Sequence, residues 1–219
     1  TKITLAATAM LLVGGATAML VLEWSNPATL GPMGVGDKLS AGAFAGVTPR
    51  TAGFNTIDYG SMRESSMLVT IVLMFIGGGS GSTASGIKVT TFAVLGWVIW
   101  AELRGDNEVN SFRRRIPIAA QRQALTVALI GVALVAAGTM ALVTFDRISL
   151  GDGLFEATSA FGTVGLSTGI TPSLSGASRA VLMVMMFVGR VGPVTLGAAL
   201  VLRERKRRYR YPEERPLIG

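Results

Sequence analysis

The chain contains no cysteine and no histidine among its 219 residues. Disulfides, thiolate metal sites and imidazole ligands or bases are therefore excluded from its chemistry. Charge is also scarce, because only 15% of the residues are charged, whereas 50% are hydrophobic and 28 are glycine. This composition argues against an ordinary soluble domain and against most enzyme classes. We predict a protein surrounded by lipid that is not an enzyme.

The net charge of +7 is concentrated in two short basic stretches, at 104–122 and 203–215. Such runs can bind nucleic acid. Both of them, however, flank long apolar segments, which is where the positive-inside rule places cytoplasmic arginines. We therefore predict a multi-pass protein of the cell membrane with no nucleic-acid partner, whose basic linker (102–116) and basic tail (204–219) are cytoplasmic.

Four apolar segments are long enough to cross a bilayer, at about 3–22, 66–101, 117–145 and 178–202. The first lacks the basic start and the cleavage site of a signal peptide, so we predict a spanning helix there. Polar, glycine-rich stretches at 23–65 and 146–177 separate the segments, and each holds a short apolar run, at 40–47 and 152–161. These runs are too short to span, and we predict that they form re-entrant half-helices.

An internal repeat links these features. TAGFNT at 51–56 matches TVGLST at 163–168 at an offset of 112 residues, and the same offset aligns MFIG at 74–77 with MFVG at 186–189. A conserved spacing between two matches indicates a duplicated unit. The sequence therefore predicts an all-α membrane protein with two helix–pore loop–helix repeats, at 1–101 and 117–203.

The repeated T-x-G segments suggest a binding path for a cation. Backbone carbonyls can replace the hydration shell of an ion, and glycine adopts backbone angles that a side chain would obstruct. One isolated T-x-G is most simply a turn, but two copies in register favour an ion-selectivity filter. The predicted filter residues are Thr51, Ala52, Gly53, Phe54, Thr163, Val164, Gly165 and Leu166. The predicted K+ ligands are the carbonyls of Thr51, Ala52, Gly53, Thr163, Val164 and Gly165.

Four strings carry a family resemblance: TPRTAGFNT (48–56), MFIGGGSGSTASGIKVTTFAVL (74–95), ATSAFGTVGLSTGIT (157–171) and MFVGRVGPVTL (186–196). They resemble repeats three and four of Ktr-type membrane subunits in the Trk/Ktr/HKT potassium transporter superfamily. The resemblance implies uptake of K+, with Na+ as the alternative ion, through a four-repeat pseudo-tetrameric cation pore of which this chain holds half. We expect a portion of a longer chain; the alternative is a two-repeat protein that dimerises.

The same resemblance implies partners. It implies a homodimer of membrane subunits and a cytoplasmic ring of RCK-type regulatory subunits, so that any nucleotide is bound by a partner only.

A glycine- and serine-rich stretch at 77–86 should break the second apolar segment. The resemblance implies an intramembrane gate here, in contact with Arg190; the alternatives are close helix packing for the loop and a contact with helix carbonyls for Arg190. A phosphate-binding loop fits poorly, because Ile87 displaces the lysine of that motif. The predicted gate residues are Gly77, Gly78, Gly79, Ser80, Gly81, Ser82, Thr83 and Arg190.

Charged residues near the predicted filter have structural roles in our interpretation. We expect Arg50 to support the first filter segment by pairing with a carboxylate such as Glu156. An intramembrane enzyme would need carboxylates within the spans, and the four apolar segments contain none in their central parts. A secondary transporter with broken helices would need ionisable groups at the membrane midplane.

Overall fold

The computed structural model describes residues 2–79, 84–106, 108–111 and 114–202, and of 192–202 the backbone only. Helices dominate this part of the chain, as predicted for an all-α protein. The helices are α1 (Lys2–Glu23), α2 (Val35–Val47), α3 (Glu64–Phe75), α4 (Val89–Arg104), α5 (Ile118–Asp146), α6 (Leu150–Gly162) and α7 (Gly176–Leu202). Short 3-10 turns at Tyr59–Ser61 and Thr171–Ser173 precede α3 and α7.

Two helices, α1 with 22 residues and α5 with 29, are long and apolar enough to cross a membrane by length and composition. At about 1.5 Å per residue, α1 matches a hydrocarbon core of roughly 30 Å. Large apolar side chains on both helices are open to the surroundings, for example Met10 at 73% and Met140 at 72% exposure. Such surfaces suit lipid rather than water.

The ends of several helices follow from local sequence. Pro117 precedes α5, where its missing N–H costs nothing, and Arg147 ends α5 in the left-handed conformation, with φ 50°. Ser149 then caps α6, because its hydroxyl accepts a hydrogen bond from the Asp152 N–H at 3.1 Å. A sharp turn thus joins the long α5 to the short α6. Gly105 ends α4 in the same left-handed way, with φ 71°.

The short helices α2 and α6 have 13 residues each, which corresponds to about 20 Å and is too short to span. They include the runs at 40–47 and 152–161 in which short helices were predicted, although α2 begins five residues earlier, at Val35. Helix α2 packs against α1, whereas α6 lies among α3, α5 and α7.

Two buried clusters connect these helices. The first contains Met19, Tyr59 and Phe155, and it draws residues from both halves of the chain. The second contains Leu142, Phe161 and other residues of α5, α6 and α7. Aromatic contacts join the halves directly: the ring centroids of Tyr59 and Phe155 are 5.8 Å apart.

The basic linker contains the only strands in the described part of the chain. Helix α4 continues to Arg104, three residues beyond the predicted boundary at 101. Asn110–Ser111 then pairs antiparallel with Arg114–Arg115. Arg115 forms an ion pair with Glu108 at 2.9 Å. The predicted tail, 204–219, lies outside the described residues.

Candidate functional site

The first predicted filter segment, 51–54, follows directly on the end of α2. Thr51 and Gly53 both have a left-handed backbone, with φ of 65° and 71°. Thr48 holds the turn closed, because its hydroxyl donates to the Phe54 carbonyl at 2.8 Å and accepts from the Phe54 N–H at 3.2 Å. Positive φ at a β-branched residue costs about 1–2 kcal/mol. Strain of this kind persists where the surroundings over-determine it, often at functional sites.

The second predicted segment, 163–166, follows on the end of α6 and repeats this backbone pattern. Thr163 has φ 47° and Gly165 has φ 91°. The two left-handed pairs therefore stand in register at the repeat offset of 112 residues. In an ordinary strand successive residues alternate in direction. Reversing the sign of φ at every second residue is one way to turn successive carbonyls toward the same side, as an ion path requires.

The two segments meet at their glycines. A Cβ placed on Gly53 would lie 2.3 Å from the Val164 carbonyl oxygen, and one on Gly165 would lie 3.7 Å from the Gly53 Cα. Only glycine fits at position 53. The segments differ in the residue that follows the glycine: the Leu166 side chain is buried, whereas its counterpart Phe54 is 70% exposed.

The chain between α3 and α4 forms a loop that is closed at its base. The Gly77 N–H donates to the Ile87 carbonyl at 2.8 Å, the Ile87 N–H to the Phe75 carbonyl at 3.1 Å, and the Val89 N–H to the Gly78 carbonyl at 3.2 Å. The helix is thus interrupted between Phe75 and Val89. Four predicted gate residues, Ser80, Gly81, Ser82 and Thr83, lie outside the described residues.

The returning limb of this loop, 84–88, contacts the second filter segment. Thr163 Oγ1 donates to Ser85 Oγ at 2.8 Å, so the first residue of the segment is bonded to the loop. A Cβ on Gly86 would lie 3.7 Å from the Gly162 Cα and 3.0 Å from the Phe75 carbonyl oxygen. Ser85 lies within the stretch 77–86 that was predicted to hold the gate, although the predicted gate residues end at Thr83.

Two cationic side chains stand near the loop. Lys88 Nζ donates to the Ala84 carbonyl at 2.5 Å, which bridges the returning limb. A charge–charge interaction links Lys88 with Arg190 of α7. The contact between Arg190 and the loop stays a prediction.

Equivalent glycines of the two repeats pack against different partners. A Cβ on Gly77 would lie 1.9 Å from the Ser85 carbonyl oxygen, and a Cβ on Gly189 would lie 1.9 Å from the Phe161 carbonyl oxygen. In the second repeat α7 therefore touches the end of α6 directly. In the first repeat the returning limb of the loop occupies the equivalent place.

The expected pair between Arg50 and Glu156 is not formed. Arg50 Nε and Nη2 are buried without a hydrogen-bond partner among the described residues. Glu156 instead accepts hydrogen bonds from Ser167, Thr168 and Thr171 on its own repeat. The prediction was wrong because donors beside Glu156 in the fold satisfy the carboxylate first.

Sequence reasoning also missed a second buried carboxylate, Glu23, at the end of α1. It is fully buried and accepts hydrogen bonds from Asn26 Nδ2 at 2.6 Å, from the Arg63 N–H at 3.0 Å and from the hydroxyls of Thr29 and Ser66. These bonds connect α1 to the start of α3. Its place at the end of an apolar segment gave no signal of this network.

The stretch between the first filter segment and α3 lies against the second filter segment. A Cβ on Gly60 would lie 2.5 Å from the Thr168 carbonyl oxygen. Next to it, hydrogen bonds from the Ser61 hydroxyl and the Gly60 N–H hold the pKa of the Asp58 carboxyl below its usual range. The pKa of the Tyr59 hydroxyl is raised by burial.

Comparison with known proteins identifies the family. Residues 2–206 match the TrkH family, which is described as cation transport protein. The chain belongs to the TrkH cation transport family. Members transport cations as membrane proteins, in agreement with the two helices that are long and apolar enough to cross a membrane.

Relatives within the TrkH family include proteins of Ktr systems, as the sequence resemblance predicted. The chain is 44% identical over its whole length to Ktr system potassium uptake protein B of Bacillus subtilis, and it covers 49% of that protein. It is 37% identical to Ktr system potassium uptake protein B of Vibrio alginolyticus, of which it covers 48%. It is 38% identical to potassium/sodium uptake protein NtpJ of Enterococcus hirae, of which it covers 49%. The chain thus spans about half the length of these curated relatives.

Proposed function

We propose that this chain forms half of a K+ pathway across the cell membrane, with Na+ as the alternative ion. One observation carries the proposal: two T-x-G segments at the ends of two short helices share a left-handed pair and meet at Gly53 and Gly165. The printed names of the relatives, two for potassium and one for potassium and sodium, favour the same ions.

The ion ligands in this proposal are backbone carbonyls. They belong to Thr51, Ala52, Gly53, Thr163, Val164 and Gly165. Uncharged carbonyls bind a dehydrated cation without holding it so tightly that it cannot leave. The two short helices would add a modest attraction, because the negative end of a helix dipole lies at its C-terminus. Transport of this kind involves no covalent reaction, so we expect no enzyme activity.

The surrounding architecture is also proposed. Two helix–pore loop–helix repeats form half of a four-repeat pore, and the loop at 77–88 with Arg190 is the gate beneath the filter. The hydrogen bond between Thr163 and Ser85 supports a gate in contact with the filter. The basic linker at 102–116 and the tail are cytoplasmic, and the full protein works as a homodimer with a nucleotide-binding RCK-type ring.

The proposal is tested by K+-dependent growth of an uptake-deficient bacterial strain that expresses the full-length protein. Gly53→Ser and Gly165→Ser should weaken growth or admit Na+ at matched membrane expression. Gly105→Ser is the control, because Gly105 has the same left-handed backbone, with φ 71°, but ends α4, and a Cβ there meets nothing within 4 Å. If all three variants grow like the wild type, the filter assignment is wrong.

A further inference from the structure

Glu156 connects a short helix to the chain that follows the second filter segment. It lies in the middle of α6 and is only 4% exposed. Its carboxylate accepts hydrogen bonds from the Ser167 hydroxyl, from the Thr168 N–H at 3.3 Å and from the Thr171 hydroxyl at 3.0 Å. Ser167 Oγ also accepts from the Gly169 N–H at 2.9 Å. The Glu156 carboxylate thus holds the segment at 167–171 against α6 through hydrogen bonds that it accepts.

In the first repeat, the corresponding part of the chain is anchored by different hydrogen bonds. The position 112 residues before Glu156 is Phe44. The Phe44 side chain has no oxygen or nitrogen atom that could accept a hydrogen bond. There the Thr48 hydroxyl alone bonds the Phe54 backbone, at 2.8 and 3.2 Å. Charge-assisted hydrogen bonds are roughly twice as strong as neutral ones. The chain that directly follows the second filter segment is therefore held by the stronger acceptor.

Packing holds the second segment on one side only, where the Val164 side chain is buried. A cavity of about 290 Å³ lies between the segment, α6 and α7, and is lined by Gly165 and Ser167 on one side and by Leu182 and Met186 on the other. A strand beside open volume can shift without a steric clash. Hydrogen bonds fix its two ends: Thr163 donates to Ser85 at one end, and residues just beyond the other end donate to Glu156.

We propose that Glu156 is a positioning residue that sets the K+/Na+ discrimination of the pathway by fixing the second filter segment. This inference rests on the proposed function. The size of a carbonyl cage and its freedom to contract decide which ion it accepts. Without the carboxylate, the segment can move into the cavity, and the carbonyl cage loses the fixed size that discriminates K+ from Na+.

The test compares Glu156→Gln with Glu23→Gln in the full-length protein. Glu23 is the matched control, because it is also a buried carboxylate with several donors but connects α1 to α3 and bonds no residue of either filter segment. In proteoliposomes, Glu156→Gln should lower the ratio of K+ to Na+ flux by about tenfold, the effect of losing one charge-assisted bond. Glu23→Gln should lower thermal stability and leave that ratio unchanged.

A second readout does not depend on transport. Amide hydrogen exchange at Thr168 and Gly169 should become faster in Glu156→Gln. The Thr168 N–H bonds to Glu156 itself, and the Gly169 N–H bonds to the Ser167 hydroxyl, which Glu156 holds in place. If Glu156→Gln does not fold, Glu156→Asp keeps the charge, shortens the side chain and should show smaller changes in the same direction.

The outcomes separate the two proposals. An unchanged flux ratio together with unchanged exchange overturns the role of Glu156, and so does an equal loss of selectivity in Glu23→Gln. Faster exchange in a protein whose wild type carries no K+ would instead contradict the proposed function while retaining Glu156 as the anchor of the segment.

Discussion

Gly189→Ala is the perturbation whose consequence follows most directly from the structure. The new Cβ would lie 1.9 Å from the Phe161 carbonyl oxygen, 2.8 Å from its carbonyl carbon and 3.0 Å from its Cα. A carbon and a carbonyl oxygen approach to about 3.3 Å at closest. The backbones of α6 and α7 must therefore separate by about 1.4 Å, since neither partner atom belongs to a flexible side chain.

This displacement should reduce both stability and transport. Overpacking in a close-packed interior costs about 1–3 kcal/mol, and contact between two backbones places Gly189→Ala near the upper value. Phe161 lies two residues before Thr163, so a shift at the end of α6 passes directly into the second filter segment. We expect a loss of about 3 kcal/mol in the free energy of unfolding and a strong loss of K+-dependent growth.

Two control substitutions isolate the cause. Gly96→Ala lies within α4, where a Cβ meets nothing within 4 Å, and it should stabilise the helix by up to about 1 kcal/mol. Gly138→Ala would place a Cβ 2.1 Å from the Met185 sulphur, but that flexible side chain can move aside at a much smaller cost.

The assay is thermal unfolding of the purified full-length protein in detergent, combined with growth on limiting K+. The reasoning is refuted if Gly189→Ala is as stable and as active as Gly96→Ala. It is also refuted if Gly138→Ala is equally damaging, because backbone rigidity would then not be the deciding factor.

Three further predictions concern single contacts. Ser85→Ala removes the hydrogen bond from Thr163 and should lower the free energy of unfolding by about 1 kcal/mol. It should also raise K+ flux in proteoliposomes, because the gate is held less firmly. A flux equal to that of the wild type would contradict a link between this hydrogen bond and the gate. Glu23→Ala leaves several buried donors unpaired and should lower the free energy of unfolding by about 3 kcal/mol, as measured by thermal unfolding. A variant as stable as the wild type would show that this network does not stabilise the fold. Gly60→Ala meets the Thr168 carbonyl at 2.5 Å, so it should impair growth on limiting K+ more than Gly169→Ala does.

Much of the helical organisation was predictable because it depends on local pattern. The long apolar runs predicted α1 and α5, and the short runs predicted helices where α2 and α6 lie. Boundaries were less accurate: α2 begins five residues before the predicted run, since Val35 to Leu39 is too polar to be distinguished from a loop. The pair of short strands in the linker was not predicted at all.

In the candidate site, too, some features were predictable from the sequence and others were not. The repeat singled out Thr51, Gly53, Thr163 and Gly165, and these are residues whose backbone is left-handed. The register of two similar strings was enough to find them. The hydrogen-bond partners of the site residues could not be predicted from the repeat. Arg50 was predicted to pair with Glu156, but the Glu156 carboxylate bonds to donors that follow the filter segment.

By itself, the sequence determined that this chain belongs in lipid, where it breaks its helices and which glycines recur. Composition, periodicity and spacing are local properties of the chain, and each has a direct physical consequence for backbone conformation. Only the tertiary structure decided that Gly53 faces Val164, that Ser85 bonds Thr163 and that Gly189 touches Phe161. These contacts join residues far apart in sequence, and such pairs are fixed by how the helices pack rather than by any local preference of the chain.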